Sequence, residues 1–331
     1  MQKILLVCYV TPEIGIGHLS RLLALANNLK KDNKLIPEFL IFGNLIKKDE
    51  LDNFKVHNYS LENDFAFIIN KILESNKFNL LVFDIIQNYI KNNLRELFIK
   101  LKQQNICLIS IDTLIDFCDI LDLIWVPSFN FDVTKHSKCK SLLKSGWNTY
   151  LIQKHFKSKK WSSGPRVLVL TGGSDIMNLG KSLPGEIDQI LDKNSEIHWV
   201  RGPFSKEPKI PKRSRLSWSI HYAPQQLDEL IMQSNYVISV FGISFFEVLQ
   251  YGLPTVVFSP YKNKDVKDLD ALSKEEVAMV INNQKLVPSG LLKLMNDDKI
   301  AKKYSVNALK KMSINGCKNL SNEISLLLKT Y

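Results

Sequence analysis

Ile4-Leu5-Leu6-Val7-Cys8-Tyr9-Val10, followed by Gly15-Ile16-Gly17-His18-Leu19-Ser20-Arg21, is the stretch that decides the fold. An apolar strand runs into a glycine turn, and a helix begins at once with Leu22, Leu23, Leu25, Ala26 and Leu29 on its buried side. The first turn of a helix has N–H groups without intrahelical partners and a partial positive charge, so such a turn favours an anion. His18 stands at that mouth with no acidic neighbour in sequence. The same field disfavours imidazolium, so a neutral, proton-accepting side chain is expected. The residues also fit a plain packing turn with a surface histidine. The third glycine of the dinucleotide pattern is absent.

Working outward, the first half alternates strand and helix. Strands are expected at Lys3–Val10, Leu35–Phe42, Asn79–Phe83, Ile106–Ile111 and Leu123–Val126, with helices such as Asp64–Ser75 and Asn92–Gln103 between them. The second half repeats the scheme. Strands are expected at Val167–Leu170, Ile197–Val200, Tyr236–Val240 and Thr255–Phe258, and helices at Pro224–Gln233 and Ser244–Tyr251. Alternation of this kind implies parallel sheets covered on both faces, with ligands at the carboxyl ends of the strands.

The 331 residues suit two domains of about 150 residues each. Lys157-Ser158-Lys159-Lys160-Trp161-Ser162-Ser163-Gly164-Pro165 has the composition of a linker. The expected architecture is therefore two doubly wound, Rossmann-like α/β domains facing a central cleft. Residues 1–156 would carry the histidine, 157–165 would connect, and 166–331 would form the second domain. The final helical stretch, Ile300 to Leu328, fits against either one.

Composition narrows the function classes. No apolar run reaches the roughly 18 residues of a membrane span, and the amino terminus reads as a strand rather than a signal peptide. The five cysteines form no C-x-x-C pair, so neither a disulfide framework nor a zinc site is expected, and a reducing cytoplasm is the expected location. The formal charge of +11 gathers in Lys157–Lys160 and Lys206–Arg215. Neither cluster has the interleaved aromatics of a nucleic-acid platform, so no nucleic-acid partner is expected. A solvated lysine-rich surface is the simplest reading, with an anionic substrate or weak contact with an acidic membrane face as secondary options.

Two further constellations follow. Thr171-Gly172-Gly173-Ser174-Asp175 is a second glycine turn after a strand, with N–H groups and hydroxyls suited to phosphate oxygens. Ser239-Val240-Phe241-Gly242-Ile243-Ser244-Phe245-Phe246-Glu247 leads into a helix stopped at Gly252-Leu253-Pro254. Ser244-x-x-Glu247 is a capping box by spacing, and the alternative role for Glu247 is to accept hydrogen bonds from the vicinal hydroxyls of a ribose.

These residues carry a resemblance. The chain resembles the nucleotide-sugar hydrolases of pseudaminic acid biosynthesis and the related spore-coat polysaccharide proteins. Those are relatives of the lipid II N-acetylglucosaminyltransferase, with a two-domain glycosyltransferase-B fold. The shared marks run in order through residues 1 to about 260. They are Gly15-x-Gly17-His18-x-x-Arg21, Asp84, Asp112, Cys118-Asp119, Gly146 and Leu151-Ile152-x-x-x-Phe156, then Gly172-Gly173-Ser174-Asp175, Gly202-Pro203 and Glu247 before Gly252-x-Pro254.

The resemblance implies that His18 activates water against the anomeric centre of a UDP-sugar. Gly15, Gly17, Arg21 and Asp84 would lie on the substrate side. Gly172, Gly173, Ser174, Gly202 and Gly242 would line the nucleotide, with Ile243 and Ser244 at the diphosphate and Glu247 on the ribose. The chain departs from the family at Val7-Cys8-Tyr9, where an Arg-x-Asp is usual, and at Ile86, Asp112-Thr113 and Val240–Ile243.

Three readings remain open from sequence. One is hydrolysis of a UDP-linked amino sugar, another is transfer of that sugar to an acceptor hydroxyl, and the third is a non-catalytic binder. No cofactor is expected, and no metal, because no Asp-x-Asp motif or histidine cluster is present and helix starts can neutralise a diphosphate.

Overall fold

The computed structural model describes residues 1–31, 34–90, 93–261 and 264–331. The chain divides into two compact units, Met1–Ile152 with Ile314–Tyr331, and Gln153–Ser313.

The first unit is a seven-stranded sheet. Its strands are β1 (Gln2–Val10), β2 (Leu35–Gly43), β3 (Lys55–Tyr59), β4 (Leu80–Asp84), β5 (Cys107–Ile111), β6 (Leu123–Val126) and β7 (Leu142–Ser145). They lie in the order β3-β2-β1-β4-β5-β6-β7, and every pairing is parallel. The helices between them are α1 (Gly17–Leu29), α2 (Phe65–Ser75) and α3 (Leu94–Gln103). On one face Leu5, Val7, Leu81, Phe83 and Leu108 pack with Ile69, Phe98 and Leu101. Each such fully buried side chain contributes roughly 1.5–3 kcal/mol. Asp64 caps α2 by accepting from Phe67 N–H at 2.7 Å. Asn92, where the α3 segment was expected to begin, lies outside the described residues.

The second unit holds six parallel strands in the order β10-β9-β8-β11-β12-β13. They are β8 (Arg166–Leu170), β9 (Glu196–Arg201), β10 (Ser217–Tyr222), β11 (Tyr236–Val240), β12 (Thr255–Phe258) and β13 (Met279–Val280). Helices α4 (Leu183–Ile190), α5 (Leu227–Gln233), α6 (Ile243–Leu249), α7 (Val266–Glu275), α8 (Val287–Asn296) and α9 (Asp298–Lys311) belong to it. The expected pair of doubly wound parallel α/β domains is therefore present.

Three expectations need correction. Residues 157–165 are not a free linker. Trp161 packs beside Tyr236, its indole N–H donates to Asn235 O at 2.8 Å, and Asn235 in turn donates to Ser162 O. The chain leaves the first unit at Ile152 rather than at 156. The final helical stretch holds two helices, and the second, α10 (Gly316–Leu327), belongs to the first unit rather than to a second domain running to residue 331. Its start packs so tightly that a Cβ on Gly316 would lie 2.3 Å from Tyr150 O, and Gln2 Nε2 donates to Leu328 O at 3.3 Å.

The third correction is a disulfide between Cys118 and Cys139. Ser141 N–H donates to Cys118 O at 2.9 Å, so backbone pairing brings the two cysteines together without any spacing motif. Among the described residues no helix is long and apolar enough to cross a membrane.

Candidate functional site

In the first unit the turn after β1 closes on itself. Gly15 N–H donates to Thr11 O at 2.7 Å, and Ile14 N–H to Thr11 Oγ1 at 3.2 Å. Gly15 has φ +79° with nothing within 4 Å of a Cβ, so the turn needs glycine for its backbone angle and not for space. α1 then starts at Gly17 and presents His18 and Arg21 one turn apart. β4 lies beside β1 with Cys8 opposite Asp84, and Asp84 is its last residue. The chain runs from β1 to β2 on one side and reaches β4 on the other. His18 and Asp84 thus meet at the topological switch point, where open α/β sheets bind ligands.

The contacts there are short and specific. His18 Nδ1 lies 2.5 Å from Asp84 Oδ1. Arg21 donates from Nη2 to Asp84 Oδ1 at 2.7 Å, from Nε to Asp84 Oδ2 at 3.0 Å, and from Nη1 to Asp112 Oδ2 at 3.1 Å. Burial pushes the Asp84 carboxyl upward, but the Arg21 charge, and then His18, outweigh that and hold it below the usual carboxylate range. A carboxylate only accepts, so Nδ1 of His18 is the donor, and in the neutral ring Nε2 then carries the lone pair. Arg21 Nη2 also stands 3.1 Å from Nδ1, two donors sharing the one acceptor Oδ1. Burial pushes the neighbouring Cys8 thiol well up, which leaves it protonated and inert.

Distance along the chain hid this cluster. His18 meets Asp84 directly and Arg21 meets both Asp84 and Asp112, and Asp84 is wholly enclosed, with its oxygens facing His18 and Arg21 rather than solvent.

In the second unit the expected nucleotide residues gather at the equivalent switch point, between β8 and β11. Gly172 has φ +82°, and a Cβ there would sit 3.6 Å from Val240 Cγ2, which puts the turn after β8 beside the end of β11. Thr171 is buried with no partner for its hydroxyl. Asp175 accepts from Leu179 N–H at 2.8 Å and Gly180 N–H at 2.9 Å, so it braces the loop. Gly202 is buried against the turn, where a Cβ would lie 2.4 Å from Gly173 O and 2.5 Å from Gly172 O. Its place is behind the glycine turn.

Gly242 is exposed and caps α6, and no side chain caps that helix. Ser244 therefore sits inside the first turn rather than at the cap, and the capping box suggested by Ser244-x-x-Glu247 is not formed. Ile243, Ser244 and Glu247 are half-buried on α6.

The remaining histidines are structural or paired. His57 lies 3.0 Å from Glu38, His155 lies 2.7 Å from Asp228, and His198 stacks on His221 with nitrogens 3.1 Å apart.

Comparison with known proteins places this geometry. No family model matches the chain. It is 27% identical over 286 residues to an uncharacterized protein of Methanocaldococcus jannaschii, covering 80% of this chain and 56% of that protein. The chain thus spans about half the length of the curated relative it matches. Among solved structures it resembles MurG of Acinetobacter baumannii, with a TM-score of 0.65 and 12% identity over 98% of this chain and 99% of that one. It also resembles UGT2 of Phytolacca americana, complexed with UDP-2-fluoro-glucose and pterostilbene, with a TM-score of 0.65 and 13% identity over 100% of both chains. A third is MnaA of S. aureus bound to UDP, with a TM-score of 0.62 and 12% identity over 100% of this chain and 98% of that one. With its seven- and six-stranded parallel sheets, the chain has the glycosyltransferase-B fold.

Proposed function

We propose that the chain is an enzyme acting on a nucleotide-sugar, most simply a UDP-sugar, with His18 as general base. The observation that carries this reading is the His18–Asp84 pair at the switch point of the first sheet. Asp84 fixes the Nδ1–H tautomer and aims the ring. This is a positioning role, in place of the substrate contact expected for Asp84, and Arg21 supports it by keeping the carboxylate ionised. Gly15 and Gly17 shape the turn that lets the ligand approach the imidazole.

In hydrolysis, His18 Nε2 takes a proton from water and the water oxygen bonds to the anomeric carbon. The bond from that carbon to the diphosphate oxygen breaks, and its electron pair leaves with UDP. The products are UDP and a free sugar. In the second unit the turn Gly172–Ser174 and the residues Gly242, Ile243 and Ser244 would meet the diphosphate, and Glu247 the ribose. UDP in the MnaA structure and UDP-2-fluoro-glucose in the UGT2 structure support that choice of nucleotide.

Transfer to an acceptor hydroxyl uses the same base and the same donor. It is supported by the UGT2 structure, which holds a second molecule, pterostilbene, together with UDP-2-fluoro-glucose. One experiment separates the readings: incubate the protein with a panel of UDP-sugars, with and without cell-envelope acceptors, and follow UDP and sugar by NMR. Free sugar without acceptor means hydrolysis, UDP release only with acceptor means transfer, and no UDP release from any mixture refutes both.

A further inference from the structure

α10 seats its first residue, Gly316, too tightly against Tyr150 for a side chain there, and one turn later stands off from the sheet. Asn319, Asn322 and Glu323, spaced i, i+3 and i+4, share one face of the helix. Between that face and the ends of β6 and β7 opens a cleft of about 290 Å³. Ligand pockets run from roughly 300 to 1,000 Å³, so this one suits a small molecule. Trp125 and Lys144 are opposite each other in the register of β6 and β7, each one residue before its strand ends. The cleft thus lies at the carboxyl ends of the strands, where open α/β sheets hold ligands. It stands at the β7 edge of the sheet, away from the switch point between β1 and β4 that carries His18.

Floor and rim differ in what they leave free. Trp125 is 2% exposed, and its indole N–H donates to Thr149 O at 2.7 Å. Thr149 Oγ1 lies 2.7 Å from Val126 O and from Gly146 O. The floor is rigid and its polar groups are spent. The rim keeps its polar groups available. Lys144 and Glu323 meet at 3.4 Å, a loose pair whose side chains are 42% and 25% exposed. Asn319 donates to Asn148 O at 3.1 Å. Among the described residues, the side-chain amides of Asn148 and Asn322 have no protein partner.

That rim selects by chemistry. A free amide both donates and accepts, Lys144 only donates and Glu323 only accepts. The two charges are opposite and cancel. An anion would meet Glu323, a cation would meet Lys144, and an apolar molecule would cover the polar rim without satisfying it. What fits is a neutral molecule whose adjacent groups each donate and accept, as the vicinal hydroxyls of a sugar ring do. We propose that this cleft is a saccharide site holding one neutral sugar unit, separate from the nucleotide-sugar proposed at His18. The unit is either a free monosaccharide or one residue of a longer glycan.

Side-chain amide signals of Asn148, Asn319 and Asn322 in proton–nitrogen NMR spectra read occupancy directly. The protein is titrated at millimolar concentrations with glucose, galactose, mannose and N-acetylglucosamine, with maltotriose and chitotriose, and with glycine and inorganic phosphate as controls. At least one saccharide should move these signals. Asn148→Ala and Asn322→Ala should each weaken its binding about three- to tenfold, the share of one neutral hydrogen bond. Both amides lack protein partners, so the variants should keep the urea midpoint of wild type. Tighter binding of a trisaccharide than of its monosaccharide makes the occupant a unit of a chain, and equal affinity makes it a free sugar. No response to any saccharide, undiminished binding in both variants, or tighter binding of glycine or phosphate than of the sugars overturns the proposal. None of these readouts involves UDP, so the outcome is separate from the base assignment of His18.

Discussion

His18 and Asp84 meet at 2.5 Å although 66 positions separate them, and the aspartate of the pair is wholly buried. An exposed carboxylate at this distance would be screened and worth little. Inside the sheet, with the Arg21 charge beside it, the same group stays ionised and dictates which imidazole nitrogen carries the proton. The order of the sheet creates the contact, because β4 inserts next to β1 and carries Asp84 under the first turn of α1.

Loss of the base should separate chemistry from binding. His18→Asn is expected to lower turnover by roughly 10²–10⁴-fold, the usual share of a positioned general base. UDP affinity, which the proposed function assigns to the second unit, should stay within about twofold. Asp84→Asn should lower turnover as well, since an amide N–H in place of Oδ1 would favour the opposite tautomer. Steady-state kinetics on an established substrate, with calorimetry for UDP, provide the check. Full turnover in His18→Asn would remove the base assignment.

Asp84 should also govern acid stability. Removing it by Asp84→Ala leaves Arg21 mostly buried without its main partner, which should cost about 3–5 kcal/mol. In the wild type the folded carboxyl sits below its ordinary value. Its contribution is therefore complete above the ordinary aspartate range, near pH 4, and is lost as pH falls through the lowered folded value. Urea midpoints measured from pH 7 down to pH 3 should fall for wild type and fall less for Asp84→Ala.

How much of this was legible in sequence depends on the range of the interaction. The strand, turn and helix around residues 4–29 were legible because apolar periodicity and glycine chemistry are local. Both glycine turns emerge at switch points for the same reason. The short strands β3, β7, β10 and β13 were missed, since half-exposed segments such as Lys55–Tyr59 have no continuous apolar run. The polar partners were beyond reach. Nothing in the spacing of His18, Arg21, Asp84 and Asp112 reveals that α1, the end of β4 and the residue after β5 converge at the carboxyl ends of the strands. Ser244-x-x-Glu247 misled for a related reason, because the backbone starts α6 one residue earlier, at Ile243, and leaves Gly242 as the cap.

The two glycines of the second unit should respond differently to alanine. At Gly202 a Cβ would lie within 2.6 Å of the Gly172 and Gly173 backbone, so the loops must part. Gly202→Ala should cost about 1–3 kcal/mol of stability, as overpacking does, and weaken UDP binding with it. At Gly242 the backbone is extended and a Cβ would meet nothing within 4 Å. Gly242→Ala should therefore change stability by no more than about 1 kcal/mol, the difference between caps. A loss of UDP affinity in that variant would reflect the ligand itself. Thermal unfolding and UDP titration of both variants test the contrast, and equal destabilisation by the two would contradict it.

The disulfide gives the last prediction. Cys118 and Cys139 close a loop of 21 residues, and restricting the unfolded chain over such a loop stabilises a protein by about 3 kcal/mol. The fold supplies the juxtaposition independently, since Lys140 N–H, Ser141 N–H and Ser141 Oγ all donate to Cys118 O. Reduction should therefore loosen the first unit without unfolding it outright. Cys118→Ser with Cys139→Ser should lower the urea midpoint by about as much as dithiothreitol lowers that of wild type, and dithiothreitol should then have no further effect. Thiol titration of unreduced protein in denaturant should count three groups, Cys8, Cys107 and Cys317. A count of five would mean that the hydrogen bonds to Cys118 O hold this corner together without the covalent link.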